Sequence, residues 1–164
     1  MDPAQATATS PADRSNGSPW SPQEAARLYR IAEWGGGYFD VNDSGNVSAT
    51  PIQNGTAQID LFEVITHLRA ERDIAPPVLL RFQDLLRGRV QELNAAFHDA
   101  IDEYAYENRY TTVYPIKANQ LREVVEAILE AGAPYEVGLE CGSKAELVAG
   151  LSHRESDGRL LIGN

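Results

Sequence analysis

The order of strand and helix patterns after residue 110 constrains the fold more than any other feature of the sequence. The strand-like segment TTVYPIK is followed by helix-like QLREVVEAILEAG, strand-like YEVGLE, helix-like SKAELVAGL and strand-like RLLIGN. Strands that alternate with helices in this way pair in parallel, and the crossover helices pack on the sheet. The sequence therefore predicts an α/β fold with three strands of a parallel sheet.

The first helix between these strands has a predicted start and stop. Asn119 is expected to cap it, and Gly132 is expected to end it in a left-handed conformation. Its apolar positions recur at helical spacing and predict a buried stripe of Leu121, Val124, Val125, Ile128 and Leu129.

The second helix carries a capping-box spacing at its start. Ser143 and Glu146 are three residues apart, and Leu147, Val148 and Leu151 follow in positions predicted to face inward. Both helices are therefore expected to pack their apolar side chains on the sheet.

Three segments precede the strand and helix alternation. Residues 1–22 contain few large apolar residues and predict a disordered tail. Residues 23–75 predict a helix in PQEAARLYRIAEWG, a hairpin in GGYFDVNDSGNVSAT with its turn at residues 42–45, and a second helix over residues 57–72. After Pro76 and Pro77, VLLRF predicts a strand, and the longest helix then runs to about Glu107 with a single apolar face: Leu85, Leu86, Val90, Leu93, Phe97, Ile101 and Tyr104.

Charge and composition exclude several classes of protein. A net charge of -10 argues against a nucleic-acid partner, because phosphate binding needs clustered Lys and Arg. No apolar run is long enough to span a bilayer, and the only cysteine, Cys141, leaves no disulfide framework. The three histidines lack metal-ligand spacing, so the sequence predicts no metal site. We expect a cytoplasmic protein with no membrane partner.

Lys117 is the residue that most clearly suggests chemistry. Strand alternation puts it on the face of Thr111, Val113 and Pro115, at the carboxyl end of the strand, where ligands collect in parallel α/β folds. The alternative is a lysine that reaches into solvent from a strand end. Pro115 favours the functional interpretation, because it removes a backbone donor from a strand that otherwise looks buried.

The segment VYPIKAN resembles the lysine motif of the biosynthetic arginine decarboxylases, whose usual form is YPIKVN. Further segments are similar to that family in the same order: RIAEWGGGYFDVNDSGNVSA, LNAAFHDAIDEYAYENRY and GLECGSKAELVAGL. The resemblance extends from about Ala25 to Asn164. It departs from the family at Ala118, Cys141 and Gly163, where valine, alanine and cysteine are usual.

The resemblance implies a partial (β/α)8 TIM barrel that binds pyridoxal phosphate. Residues 76–164 would form its first three strands, and the hairpin segment and the long helix would precede them. Lys117 would be the catalytic residue that binds the cofactor covalently, and Glu140 would lie near the cofactor, with a solvated loop carboxylate as the equal alternative. Asn164 matches a family asparagine, whereas Cys141 is expected to be a small packed residue.

The implied reaction is the decarboxylation of L-arginine to agmatine and carbon dioxide, a step towards polyamines. The resemblance also brings Mg²⁺ and a homo-oligomeric parent into consideration. Other possibilities are a decarboxylase of ornithine, diaminopimelate or a carboxylated polyamine, a pyridoxal-phosphate-binding module without activity, or an inert fragment. A whole barrel needs about 250 residues, so we expect this chain of 164 residues to be a truncated, inactive piece.

Overall fold

The computed structural model describes residues 20–52, 55–153 and 158–164. The predicted tail lies outside the described residues as far as residue 19, and the first helix begins at Pro22. The chain divides into two compact units. The hairpin unit is Met1–Ala49 with Ile59–Ile74, and the parallel-sheet unit is Thr50–Gln58 with Ala75–Asn164.

Within its described residues, the hairpin unit combines three short strands with three helices. In chain order its elements are α1 (Pro22–Leu28), α2 (Ile31–Trp34), β1 (Phe39–Val41), β2 (Val47–Ala49), β3 (Ile59–Asp60) and α3 (Leu61–Arg72). The predicted hairpin is confirmed, because β1 and β2 pair antiparallel with Phe39 opposite Ala49. The predicted single helix over residues 22–35 is wrong: Arg30 has a left-handed backbone with φ 55° and separates α1 from α2.

Asp60 joins the hairpin turn to the start of α3. Its Oδ1 accepts hydrogen bonds from the backbone N–H groups of Phe62 (2.9 Å) and Glu63 (3.0 Å), which caps the helix. Its Oδ2 accepts from the side-chain amides of Asn42 (2.7 Å) and Asn46 (2.9 Å). The hydrogen bond from Asn46 contributes most to holding the pKa of Asp60 below its ordinary value.

The parallel-sheet unit has the predicted alternation. Its elements are α4 (Gln83–Glu103), β4 (Val113–Pro115), α5 (Arg122–Ala131), β5 (Gly138–Cys141), α6 (Lys144–Ser152) and β6 (Leu161–Gly163). The strand order is β4-β5-β6, and both neighbouring pairs are parallel. The predicted parallel α/β arrangement of the three strands is therefore confirmed.

The apolar core of this unit lies between the sheet and its helices. One buried cluster joins sheet residues to α5: Ile116, Val125, Leu129, Leu139 and Cys141, with Tyr114 and Leu161 packed against it. A second cluster joins α5 to α4: Val124, Ile128 and Val137, with Leu86, Val90, Tyr114 and Tyr135 packed against it. The predicted stripe of α5 is thus confirmed at four positions, while Leu121 is 38% exposed.

Two predicted features are wrong: the strand ahead of α4 and the left-handed glycine at the end of α5. Residues 78–82 form no strand but an irregular lead into α4, since a short apolar run alone does not distinguish a strand from other buried segments. Gly132 has a right-handed backbone with φ -87°, because the chain continues into a 3-10 turn, Ala133–Tyr135, and only Glu136 is left-handed. A side chain at Gly132 would overlap Val137. The lack of space, rather than a left-handed backbone, therefore explains why this position is a glycine.

The inward face of α6 also differs from the prediction. Leu147, Val148 and Leu151 are 40%, 68% and 48% exposed, whereas Gly150 is buried. A Cβ atom at Gly150 would lie 3.0 Å from Sγ of Cys141 and 3.0 Å from Cδ1 of Leu161. The helix therefore contacts the sheet through its one glycine, which an apolar pattern cannot indicate.

Candidate active site

The two faces of the parallel sheet differ in chemistry. Paired residues of parallel strands point to the same side, and successive residues of one strand alternate. Tyr114, Leu139 and Leu161 occupy one level of the register and belong to the apolar core. Pro115, Glu140 and Ile162 form the next level. The Glu140 carboxylate therefore lies on the face opposite the core.

Lys117 lies just beyond the carboxyl end of β4. The strand ends at Pro115, and Lys117 is the exposed middle residue of a 3-10 turn, Ile116–Ala118. The predicted strand alternation through Lys117 is therefore wrong, because the backbone leaves the extended conformation after Pro115. Its predicted location at the carboxyl edge of the sheet is confirmed. Ile116, only 1% exposed, fixes the start of the turn in the core.

Glu140 lies near the carboxyl end of the neighbouring strand, and its two oxygens differ. Oε1 accepts a hydrogen bond of 3.1 Å from the side-chain amide of Asn164, whose own backbone N–H donates to the carbonyl of Cys141 at 3.0 Å. Oε2 is buried and has no hydrogen-bond partner among the described residues. A buried carboxylate oxygen without a donor is costly, so this position suits a donor group of a ligand or a water molecule.

Neither Glu136 nor Cys141 shares the sheet face of Glu140. Glu136 precedes β5 and has a left-handed backbone, so it does not share the strand face of Glu140. Cys141 is buried in the core, as expected for a packed residue. Burial, followed by the charges of Glu146 and Glu140, raises the pKa of the Cys141 thiol, which disfavours a nucleophilic thiolate.

The loop after β5 is held by two hydrogen bonds that both involve Glu146. Oγ of Ser143 accepts from the backbone N–H of Glu146 at 3.2 Å, as the capping-box spacing predicts. The Glu146 carboxylate, however, accepts from the backbone N–H of Gly142 at 2.7 Å. The start of α6 is therefore fixed directly after the strand that carries Glu140.

Sequence patterns missed the contacts that hold the lysine turn. The hydroxyl of Tyr114 donates to the backbone carbonyl of Asn119 at 3.1 Å, and burial raises the pKa of this tyrosine. Asn119 is not the N-cap of α5, which is Leu121, but its Oδ1 accepts from the Leu121 backbone N–H at 3.1 Å. No local spacing rule relates a strand tyrosine to a carbonyl five residues later.

Two clefts in the described part of the parallel-sheet unit lie away from Lys117 and Glu140. One apolar cleft is lined by residues on the core side of the sheet, among them Leu129, Leu139, Gly150 and Leu161. A more polar cleft is lined by Arg109, Thr111, Glu136, Gly158, Arg159 and Leu160, several of which precede the strands. Neither includes Lys117 or Glu140, so residue chemistry and strand position identify the candidate site.

Lys117 and Glu140 thus lie at the carboxyl ends of neighbouring strands in a parallel α/β sheet, the edge at which ligands bind in proteins of this class. No known family model matches the chain. Curated proteins named biosynthetic arginine decarboxylase do match it over 145 residues, or 88% of the chain. The identity is 43% for the protein of Gloeobacter violaceus, 44% for that of Prochlorococcus marinus and 46% for that of Geobacter sulfurreducens.

The same name is found among solved structures. The biosynthetic arginine decarboxylase SpeA from Campylobacter jejuni superposes with a TM-score of 0.73 and 29% identity over 83% of this chain. The chain is therefore a homologue of a segment of the biosynthetic arginine decarboxylases, and the resemblance predicted from VYPIKAN and its accompanying motifs is confirmed. It spans only 22–23% of the length of these curated relatives and 22% of the SpeA chain.

Neither a membrane helix nor a metal cluster is found in the part of the chain that the structure describes. Its helices are too short or too polar to cross a bilayer. Its His, Cys, Asp and Glu side chains form no group of three that could hold a metal ion.

Proposed function

We propose that this chain is the lysine-bearing segment of a pyridoxal-phosphate-dependent arginine decarboxylase, which converts L-arginine into agmatine and carbon dioxide for polyamine synthesis. The observation that carries the proposal is the position of Lys117. It stands in a family-like motif, just past the carboxyl end of a parallel strand, in a chain 43–46% identical to named arginine decarboxylases.

The proposed parent fold is a (β/α)8 barrel. The three parallel strands, the two intervening helices and the superposition on SpeA support it. Residues 76–164 would be the first part of the barrel, and residues 23–75 the segment ahead of it. The proposal retains the cytoplasmic location and the homo-oligomeric parent predicted from the sequence. It assigns no ligand for Mg²⁺ to this segment.

The residues present fit a pyridoxal phosphate site. Lys117 offers an exposed primary amine, and Oε2 of Glu140 is a buried acceptor without a donor among the described residues. Lys117 would bind the cofactor aldehyde, and Glu140 would accept a hydrogen bond from a protonated group of the cofactor or the substrate. When bound, the cofactor supplies an electron sink for the electron pair left by the departing carbon dioxide.

The chain's own residues determine how the amine and the carboxylate are presented. Lys117 needs an uncharged nitrogen to act as a nucleophile, and an arginine could not replace it because the guanidinium stays protonated. Asn164 orients Glu140 through its hydrogen bond to Oε1, which directs Oε2 elsewhere. Lys117 would therefore be the catalytic residue, and Glu140 a cofactor-binding residue.

Reductive labelling tests the role of Lys117 in this chain directly. The sequence has only two lysines, Lys117 and Lys144, and both are exposed. After incubation with pyridoxal phosphate and reduction with borohydride, peptide mapping should find the label mainly on Lys117. Lys144→Ala, the matched control, should leave that labelling intact, whereas Lys117→Ala should remove it. Equal labelling of both lysines would contradict the proposal.

A hybrid enzyme tests the reaction. Residues 20–164 would replace the matching segment of the Geobacter sulfurreducens relative, and agmatine formation from arginine would be measured. We expect activity in the hybrid, its retention in Lys144→Ala, and a loss of several orders of magnitude in Lys117→Ala. A folded but inactive hybrid, or one that stays active without Lys117, would refute the proposed function.

A further inference from the structure

We propose that Tyr114 is a positioning residue for Lys117. Its hydroxyl, by donating to the backbone carbonyl of Asn119, closes the turn that carries the lysine amine. The inference rests on the proposed function of Lys117, and it assigns to Tyr114 no contact with cofactor or substrate.

The lysine turn has little internal support. It is a 3-10 turn of three residues, Ile116–Ala118, and short 3-10 segments have poor hydrogen-bond geometry. Asn119 follows it with an extended backbone, φ -160° and ψ 109°, before α5 begins at Arg122. The carbonyl of Asn119 is therefore outside both the turn and the helix, and the donor it receives comes from the side chain of Tyr114.

Contacts on both sides of the lysine hold the backbone in place. On the amino-terminal side, Ile116 is 1% exposed and packs in the core. On the carboxyl-terminal side, the Tyr114 hydroxyl holds the Asn119 carbonyl at 3.1 Å, and the Asn119 side chain accepts from Leu121 at 3.1 Å. Lys117 and Ala118, the exposed residues, lie between these contacts.

Tyr114 acts through the backbone rather than on the ligand. Its register partner is Leu139, and its ring packs against both apolar clusters, so it lies on the core side of the sheet. The proposed chemistry requires the Lys117 amine to bind the cofactor, leave it and return. A turn that opens more often would place Nζ correctly for a smaller fraction of the time, and this would slow each return.

Tyr114→Phe isolates the hydroxyl, because phenylalanine keeps the ring in the core. Tyr135→Phe is the matched control: Tyr135 is also a partly buried tyrosine packed on the second cluster, and its hydroxyl makes no hydrogen bond with the described residues. In the full chain of 164 residues, we expect Tyr114→Phe to speed backbone amide exchange in residues 116–121 about fivefold, which corresponds to one net hydrogen bond. Exchange in α5 should be unchanged.

The second measurement separates positioning from stability. Initial rates of reductive labelling with pyridoxal phosphate give the ratio of Lys117 to Lys144 within one molecule, and this ratio should fall in Tyr114→Phe but not in Tyr135→Phe. Unchanged exchange in residues 116–121 would overturn the inference. So would faster exchange throughout the parallel-sheet unit with an unaltered labelling ratio. Absence of labelling on Lys117 in the unsubstituted chain would instead refute the proposed function.

Discussion

Thr112→Val tests a buried polar link between the long helix and the parallel sheet. Oγ1 of Thr112 donates to Oδ1 of Asn94 at 2.8 Å, and the Asn94 amide donates to the carbonyl of Val90 at 2.7 Å. Asn94 is 1% exposed. Valine has nearly the shape of threonine, so the substitution removes the donor while the packing is maintained.

The expected loss is larger than that of a hydrogen bond at the surface. A typical net hydrogen bond contributes about 0.5–1.5 kcal/mol, whereas an acceptor left buried and unsatisfied costs about 1–3 kcal/mol. Because Oδ1 of Asn94 would be buried without its donor, we expect Thr112→Val to reduce the free energy of unfolding by about 2 kcal/mol. Thr111→Val is the matched control. The neighbouring hydroxyl makes no hydrogen bond with a described residue, so the change should stay within about 0.5 kcal/mol.

Urea unfolding followed by far-ultraviolet circular dichroism measures these changes, with the denaturant dependence fitted for each variant. The double variant Thr112→Val with Asn94→Leu should lose less free energy of unfolding than the two single variants lose together, because it leaves no unpaired hydrogen-bond partner. Strictly additive losses would refute the reasoning. So would equal effects of Thr112→Val and Thr111→Val.

Two other predictions concern packing and pH. Gly150→Val should reduce the free energy of unfolding by about 1–3 kcal/mol through overpacking, because even the added Cβ atom would lie 3.0 Å from Sγ of Cys141. Gly142→Ala, where the nearest atom would be at 3.5 Å, is the control for the same urea measurement, and equal losses would contradict the packing argument. Because its pKa is lowered in the folded state, the Asp60 carboxylate stabilises the fold at pH values above its ordinary pKa of 3.8. This contribution disappears as the pH falls through the folded-state pKa. Asn46→Ala should therefore weaken the acid dependence of unfolding followed by the fluorescence of the two tryptophans, Trp20 and Trp34, and an unchanged acid titration would contradict this.

Local periodicity predicted the architecture where each segment buries a face of its own. The stripe of α5 is regular enough that Val124, Val125, Ile128 and Leu129 are all buried. The same method was wrong for α6, whose leucines are exposed and whose buried contact is Gly150. Apolar spacing predicts which face of a helix is hydrophobic. How closely the helix approaches a sheet depends instead on where its smallest side chain meets the sheet residues, and the sequence of the helix alone does not contain this information.

The candidate site was predicted in part for a similar reason. Strand ends and the VYPIKAN motif indicated Lys117, and the following strand indicated Glu140. The hydrogen bond between Glu140 and Asn164 depends on the register of β5 against β6, and the bond from Tyr114 depends on how the chain turns back after β4. Neither geometry is encoded by spacing within one segment, so neither contact could be predicted from the sequence.

The alternation within β5 makes this strand sensitive to changes of length. Leu139 and Cys141 are both in the apolar core, and Glu140 lies between them on the opposite face. Insertion or deletion of one residue before Glu140 would exchange the faces, moving the carboxylate into the core and an apolar side chain to the site. Among homologous chains we therefore expect substitutions within residues 138–141 but no change in their number, with insertions confined to the loops on either side.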